Sequence, residues 1–143
     1  METASQKVRA GSCLCKGVQF EGRLKDNHVE ACHCSMCRKW SAGPVIATPL
    51  DFNSVKFKSD SSLAWYKSSE WAERGFCSVC GTNLFYRLQD PEAKLLICMI
   101  GALDDDSGLH MERHICVDGK PNYYDFADDT PRLTSEELFA ESS

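Results

Sequence analysis

Apolar and polar positions alternate over short distances for most of this chain, and few stretches sustain a helical period. Val18 and Phe20 alternate with Gln19 and Glu21, so Lys7 to Arg23 reads as two short strands around a cysteine turn, bracketed by Gly11 and Gly17. Brief segments rich in β-branched and aromatic residues follow at Val45 to Pro49, Val55 to Phe57, Leu63 to Tyr66, Arg74 to Phe76, Asn83 to Arg87, Lys94 to Ile100 and Met111 to Val117. Gly, Pro, Asp and Ser separate them. Many short strands with such punctuation predict a mainly β, antiparallel domain with short helical turns. Cys34 to Ala42 carries the good helix formers Met36, Arg38 and Lys39 and is stopped by Gly43-Pro44, which predicts a turn or two of helix. Asp118-Gly119 and Lys120-Pro121 mark turns. Thr134-Ser-Glu-Glu137 ahead of Leu138 and Phe139 has the form of a capping box, so a short helix is expected near the C-terminus, with the last residues frayed.

A length of 143 residues, 43% of them hydrophobic and 26% charged, suits one ordinary globular domain. The expectation is a single unit over 1–143, with a core of about 8–130 and a short C-terminal helix or tail. The longest apolar stretch, Leu95 to Leu103, has the length of a buried strand and falls short of the roughly 20 residues of a membrane span. The net charge of −5, without a lysine or arginine cluster, argues against a nucleic-acid surface. Met1 to Ala10 is polar and shows no secretory signal, so a reducing, cytoplasmic setting is expected. The acidic runs Asp104 to Asp106 and Asp128-Asp129 read as solvated loops whose ligand spacing does not suit calcium.

That setting changes how the nine cysteines read. Seven of them form compact clusters, Cys13-Leu-Cys15, Cys32-His-Cys34-Ser-Met-Cys37 and Cys77-Ser-Val-Cys80, and cysteines so close together direct their sulfurs at a metal rather than at each other. A thiolate set suits zinc, which takes four ligands in a closed structural site and three plus an open position in a catalytic one. Seven divides as four plus three. Gly81 directly after Cys80 offers the left-handed conformation that such a knuckle needs. Cys32, Cys34 and Cys37 can converge on one ion as a tripod with a vacancy, or take Cys98, Cys116 or a histidine as fourth ligand. Three thiolates around a divalent ion leave a net negative charge, which favours binding and deprotonating a thiol over activating water. His33 lies between two candidate ligands, and His28, His110 and His114 read as ordinary surface or core residues. Arg38 and Arg74 are candidate partners for a substrate carboxylate, and Trp40, Trp65, Tyr66 and Trp71 could wall a pocket.

The chain resembles the glutathione-dependent formaldehyde-activating enzyme family, whose relatives include centromere protein V, over nearly its full length. The likeness rests on Gly11-Ser-Cys-Leu-Cys-Lys-Gly-Val18, on Cys32-His-Cys-Ser-Met-Cys-Arg-Lys39 with Gly43, and on the run from Tyr66 through Cys77-Ser-Val-Cys-Gly-Thr-Asn-Leu84. His114-Ile-Cys-Val-Asp-Gly-Lys-Pro121 and Asp125-Phe-Ala-Asp-Asp129 also match its C-terminal part. This resemblance implies an Mss4-like, zinc-containing β fold with two zinc ions per chain. It implies that Cys13, Cys15, Cys77 and Cys80 build the structural site and that Cys32, Cys34 and Cys37 hold a catalytic zinc. The implied activity joins glutathione and formaldehyde into S-(hydroxymethyl)glutathione, formally a carbon–sulfur lyase in reverse, so the expected partners are a small thiol such as glutathione and an aldehyde. A reading from another class is a non-catalytic zinc module of the same fold that binds a protein partner.

Overall fold

The computed structural model describes residues 7–141; the polar start, Met1 to Gln6, and the last two residues, expected to fray, lie outside it. Ten strands and two α-helices follow one another along the chain among the described residues. The strands are β1 (Val8–Ser12), β2 (Gln19–Arg23), β3 (His28–Cys32), β4 (Val45–Pro49), β5 (Lys56–Ser59), β6 (Leu63–Lys67), β7 (Ala72–Cys77), β8 (Asn83–Leu88), β9 (Leu96–Met99) and β10 (His110–Ile115), and the helices are α1 (Ser35–Ser41) and α2 (Ser135–Glu141). They form a three-stranded sheet, β1-β2-β5, and a seven-stranded sheet, β10-β3-β4-β9-β8-β7-β6. The mainly β reading holds, and among the described residues no helix is long and apolar enough to cross a membrane.

Strand order decides where chemistry can sit. Residues directly opposite one another on paired strands share a face, and this places Cys32, Val45, Ala47, Met99, Ile97, Tyr86, Arg74 and Tyr66 on one face of the large sheet. Helix α1 lies on that face: Cys37 packs with Val45, Ala47 and Met99, and Trp40 stacks on Tyr66. The opposite face carries Phe85 and Trp65 and is covered by the small sheet, whose Phe20 meets Phe85 edge-on at 5.0 Å. Phe20, Phe85, Leu84, Val18 and Leu24 are essentially inaccessible, and burying each such side chain contributes on the order of 1.5–3 kcal/mol.

Two differences from the sequence reading matter for the site. Strand β3 was not expected, and it pairs with β10 in parallel, whereas the other strand pairs are antiparallel. The parallel pair is possible because the long chain between them supplies the crossover that parallel neighbours need. Its consequence is that Cys32, at the end of β3, lies beside Ile115, at the end of β10. The expected capping box is formed reciprocally: Thr134 N–H donates to Glu137 Oε1 at 3.0 Å, and Glu137 N–H to Thr134 Oγ1 at 3.1 Å.

Candidate metal centres

The turn between β1 and β2 presents two cysteines because the chain reverses tightly there: Cys13 N–H donates to the Val18 carbonyl, Lys16 N–H to the Cys13 carbonyl, and Lys16 takes φ 64°. Cys77 ends β7, and the knuckle that follows turns back through Gly81, which adopts φ +79° and donates its N–H to the Cys77 carbonyl. The left-handed glycine expected from sequence is therefore present. Leu14 N–H donates to Thr82 Oγ1 at 3.1 Å and ties the two turns together. Cys13, Cys15, Cys77 and Cys80 thereby bring their sulfurs within 4.8 Å of one another. Cys13 and Cys15 are 3.6 Å apart at sulfur, and Cys15 and Cys77 3.7 Å. Ligands at ordinary zinc–sulfur lengths in a tetrahedron stand about 3.8 Å apart, so the cage fits such an ion. Backbone N–H groups of Val18, Val79 and Cys80 point at the sulfurs of Cys13 and Cys77, the hydrogen bonding that thiolate ligands require.

The second cluster is built at the junction of β3 and α1. Cys32 leaves the sheet, His33 N–H bonds the Ile115 carbonyl, and Cys34 becomes the N-cap of α1, its sulfur accepting from Cys37 N–H at 3.3 Å. Gly119 packs on this loop, where a Cβ would stand 3.1 Å from the His33 carbonyl. Cys32, Cys34 and Cys37 lie within 4.8 Å of one another at sulfur. No other His, Cys, Asp or Glu joins them among the described residues. Of the proposed fourth ligands, Cys98 is buried in the core against the small sheet and Cys116 lies beyond the cluster in a left-handed turn. Hydrogen bonds from Cys32 and Cys37 hold the Cys34 thiol well below its usual range, and the Cys32 thiol is pushed up chiefly by its contact with Cys34.

Arg74 reaches this cluster from β7. Its two terminal nitrogens stand 3.6 and 3.7 Å from Cys37 Sγ, and its side chain is buried, so it faces the cluster rather than open solvent. Arg38 instead points its Nε at the His33 carbonyl, 3.1 Å away. With Ser35, Lys39, Ala42, Gly43 and Tyr123 it lines an open depression of about 500 Å³, on the helix face turned away from Cys37 by the 100° step per residue. Trp40 and Tyr66 stand on the cluster's side of the sheet, whereas Trp65 belongs to the other face, under Arg87 at 3.6 Å.

Sequence reasoning missed a buried polar chain beside the cluster. His33 Nε2 meets His114 Nδ1 at 2.8 Å, His33 Nδ1 meets the Tyr124 hydroxyl at 2.8 Å, and His114 Nε2 lies 3.0 Å from both oxygens of Asp128. Both rings are about 1% exposed. With Asp128 accepting from His114 Nε2, a neutral pair is ordered: His33 donates to His114, and Tyr124 donates to His33. Burial, then the neighbouring His114, lowers the His33 pKa to about 4, which keeps that ring neutral. The Thr130 hydroxyl and then His114 hold the Asp128 carboxyl down at about 2. Asp128 lies in a loop and is partly exposed, as expected, yet it is tied to a partner 14 residues away in sequence but adjacent in space. The signal was present in the matched segments His114 to Pro121 and Asp125 to Asp129, yet residue type alone did not join them. Replacing His114 by Phe would leave His33 Nε2 buried without an acceptor, and we expect a loss of about 1–3 kcal/mol, measured as a lower urea midpoint with unchanged m. An unchanged midpoint would remove the network's structural role.

Comparison with known proteins identifies the family and the fold. The family described as "Glutathione-dependent formaldehyde-activating enzyme" matches residues 8–119. An uncharacterized lyase of Schizosaccharomyces pombe is 29% identical over 128 residues, 90% of this chain and 92% of that protein. A Halomonas elongata protein provisionally named glutathione-dependent formaldehyde-activating enzyme is 30% identical over 125 residues, 79% of this chain and 77% of its own. The crystal structure of a Rhodobacter sphaeroides protein superposes with a TM-score of 0.57 at 19% identity, covering 86% of this chain and 98% of the other, and shares the fold.

Proposed function

This chain belongs to the glutathione-dependent formaldehyde-activating enzyme family, and from that premise we propose that it is a zinc-dependent carbon–sulfur lyase-type enzyme acting on glutathione or a related thiol adduct. The single observation that carries this reading is the incomplete second cluster: three converging cysteine sulfurs with no fourth protein ligand among the described residues, next to a complete set of four. A closed site suits structure and an open one suits chemistry. Cys13, Cys15, Cys77 and Cys80 would hold the structural ion, and Cys32, Cys34 and Cys37 the other. When bound there, zinc supplies a Lewis-acidic position that takes a thiol in its deprotonated form.

The reaction balances without oxidant or reductant. The glutathione sulfur bonds to the formaldehyde carbon, the carbonyl π bond becomes the C–O bond of a hydroxymethyl group, and the thiol proton ends on that oxygen; cleavage is the reverse. The chain's own part is to bind, orient and limit water. Val45, Ala47 and Met99 form an apolar floor under the cluster, and the β3–α1 loop is fixed in place by His33, Gly119 and the Ile115 carbonyl. Holding thiol and aldehyde together in one orientation is worth a large part of the barrier in such additions.

The test is zinc content per chain under reducing conditions, before and after mild chelation, with adduct formation from glutathione and formaldehyde followed by NMR. About two zinc ions are expected, one removed readily with loss of the catalysed rate while the fold persists. One tightly held ion and a rate equal to the uncatalysed background would overturn the reading.

A further inference from the structure

Arg74 is 2% exposed, and among the described residues no carboxylate pairs with it. Its neighbour Glu73, on the other face of β7, pairs with Arg87. Tyr86 lies against the guanidinium at 5.2 Å, and the group that both terminal nitrogens face is Cys37 Sγ. Arginine keeps its charge in proteins, and a buried charge is retained only where an opposite one answers it. The answering charge on this face is the three-cysteine cluster. Three thiolates on a divalent ion carry one net negative charge; with Arg74 the assembly is neutral.

We propose that Arg74 is the fixed counter-charge of the Cys32, Cys34 and Cys37 cluster and that it selects an anionic sulfur ligand, a thiolate, for the open position. Without it a fourth thiolate would raise the charge of a half-buried site from −1 to −2; with it the step is from neutral to −1, so the thiolate is accepted. The two N–H groups on Cys37 also draw electron density from that sulfur, leaving the bound ion a better acceptor for the incoming one. Arg74 is a positioning residue: it touches a ligand and not the reacting atoms. The inference deepens the reading above and rests on the cluster holding a metal.

The experiment uses the full chain loaded with cobalt(II), whose absorption reports ligation at each site, with glutathione as the added thiol. Wild type should take up two equivalents, and the sulfur-to-cobalt charge-transfer band should grow as glutathione binds. In Arg74→Gln the four-cysteine site should fill as in wild type, which also certifies folding. Cobalt affinity at the three-cysteine site should fall about 10- to 100-fold, and the glutathione needed for half the band change should rise by at least about 10-fold, the lower end of that range. Arg74→Lys, which keeps the charge and loses the fork, should recover most of the glutathione response. Wild-type cobalt affinity and glutathione titration in Arg74→Gln would overturn the proposal, as would Arg74→Lys behaving like Arg74→Gln. If the Gln chain lost the four-cysteine cobalt as well, Arg74→Lys decides: retention of the glutathione response supports the proposal and its loss overturns it. Wild type taking up a single equivalent would instead overturn the metal reading itself, and the inference with it.

Discussion

Cys77→Ser should abolish the cooperative fold. Cys77 is fully buried where β7 ends, its sulfur accepts from Val79 and Cys80 N–H, and it stands 3.7 Å from Cys15, on the turn that leads into the small sheet. A structural ion at this cage would therefore clamp the β1-β2 turn to the β7-β8 knuckle across the two sheets. A zinc module of this kind draws on the order of 10 kcal/mol from its metal, which is comparable to the whole net stability of a domain, about 5–15 kcal/mol. Serine keeps the size of the side chain but offers a poor ligand, so the expected loss is most of that contribution. The measurement is near-UV circular dichroism and chemical-shift dispersion of the reduced, zinc-supplemented variant beside wild type. A well-dispersed Cys77→Ser spectrum with an ordinary denaturation midpoint would sink the assignment of Cys13, Cys15, Cys77 and Cys80 as the structural site.

What the sequence could reveal divides along a physical line. Local signals were readable: strand β4 falls at Val45–Pro49 as expected, Gly81 takes the left-handed turn, and Thr134 and Glu137 cap α2 reciprocally. Each depends on residues within a few positions of one another. Strand β3 was not readable because His28-Val-Glu-Ala-Cys32 holds one β-branched residue and only the small Val29 and Ala31 on its buried face. It is a strand because β4 and β10 bond it from both sides, and propensity yields to such pairing. The same distance in sequence hid His114, which meets His33 only once β10 lies along β3, and Asp128, which meets His114. Arg74 was noticed as a cation, but its direction follows from the register of β7 with β6 and β8, which composition does not contain. The cysteine spacings gave the ligand sets, and the family resemblance gave the pairing of the outer two clusters that the fold then brings together.

Cys34→Ser should leave the molecule folded and inactive. Cys34 caps α1, its sulfur accepting the Cys37 N–H, and serine is among the best residues for that role, so the helix keeps its cap at little cost. The cluster sits on a small apolar patch of Cys37, Val45, Ala47 and Met99, separate from the core between the sheets, which retains Phe20 and Phe85. The denaturation midpoint should therefore move by no more than about 1 kcal/mol equivalent, within the ordinary range of point substitutions. The metal site is affected far more. Two thiolates and a hydroxyl cannot hold a borderline-soft ion as three thiolates do, and Arg74 would face a cluster with one charge fewer. Loss of a ligand is expected to exceed the roughly 100-fold upper end found when only an outer partner of a metal ligand is removed. The measurement is zinc per chain, midpoint and adduct formation on one preparation. A folded chain with one zinc and background rate is the expected result, and it separates this site from the four-cysteine cage, where the same exchange of sulfur for oxygen should destroy the fold. An unfolded Cys34→Ser chain would make the second cluster structural too, and a folded chain with full catalysed rate would place the chemistry elsewhere.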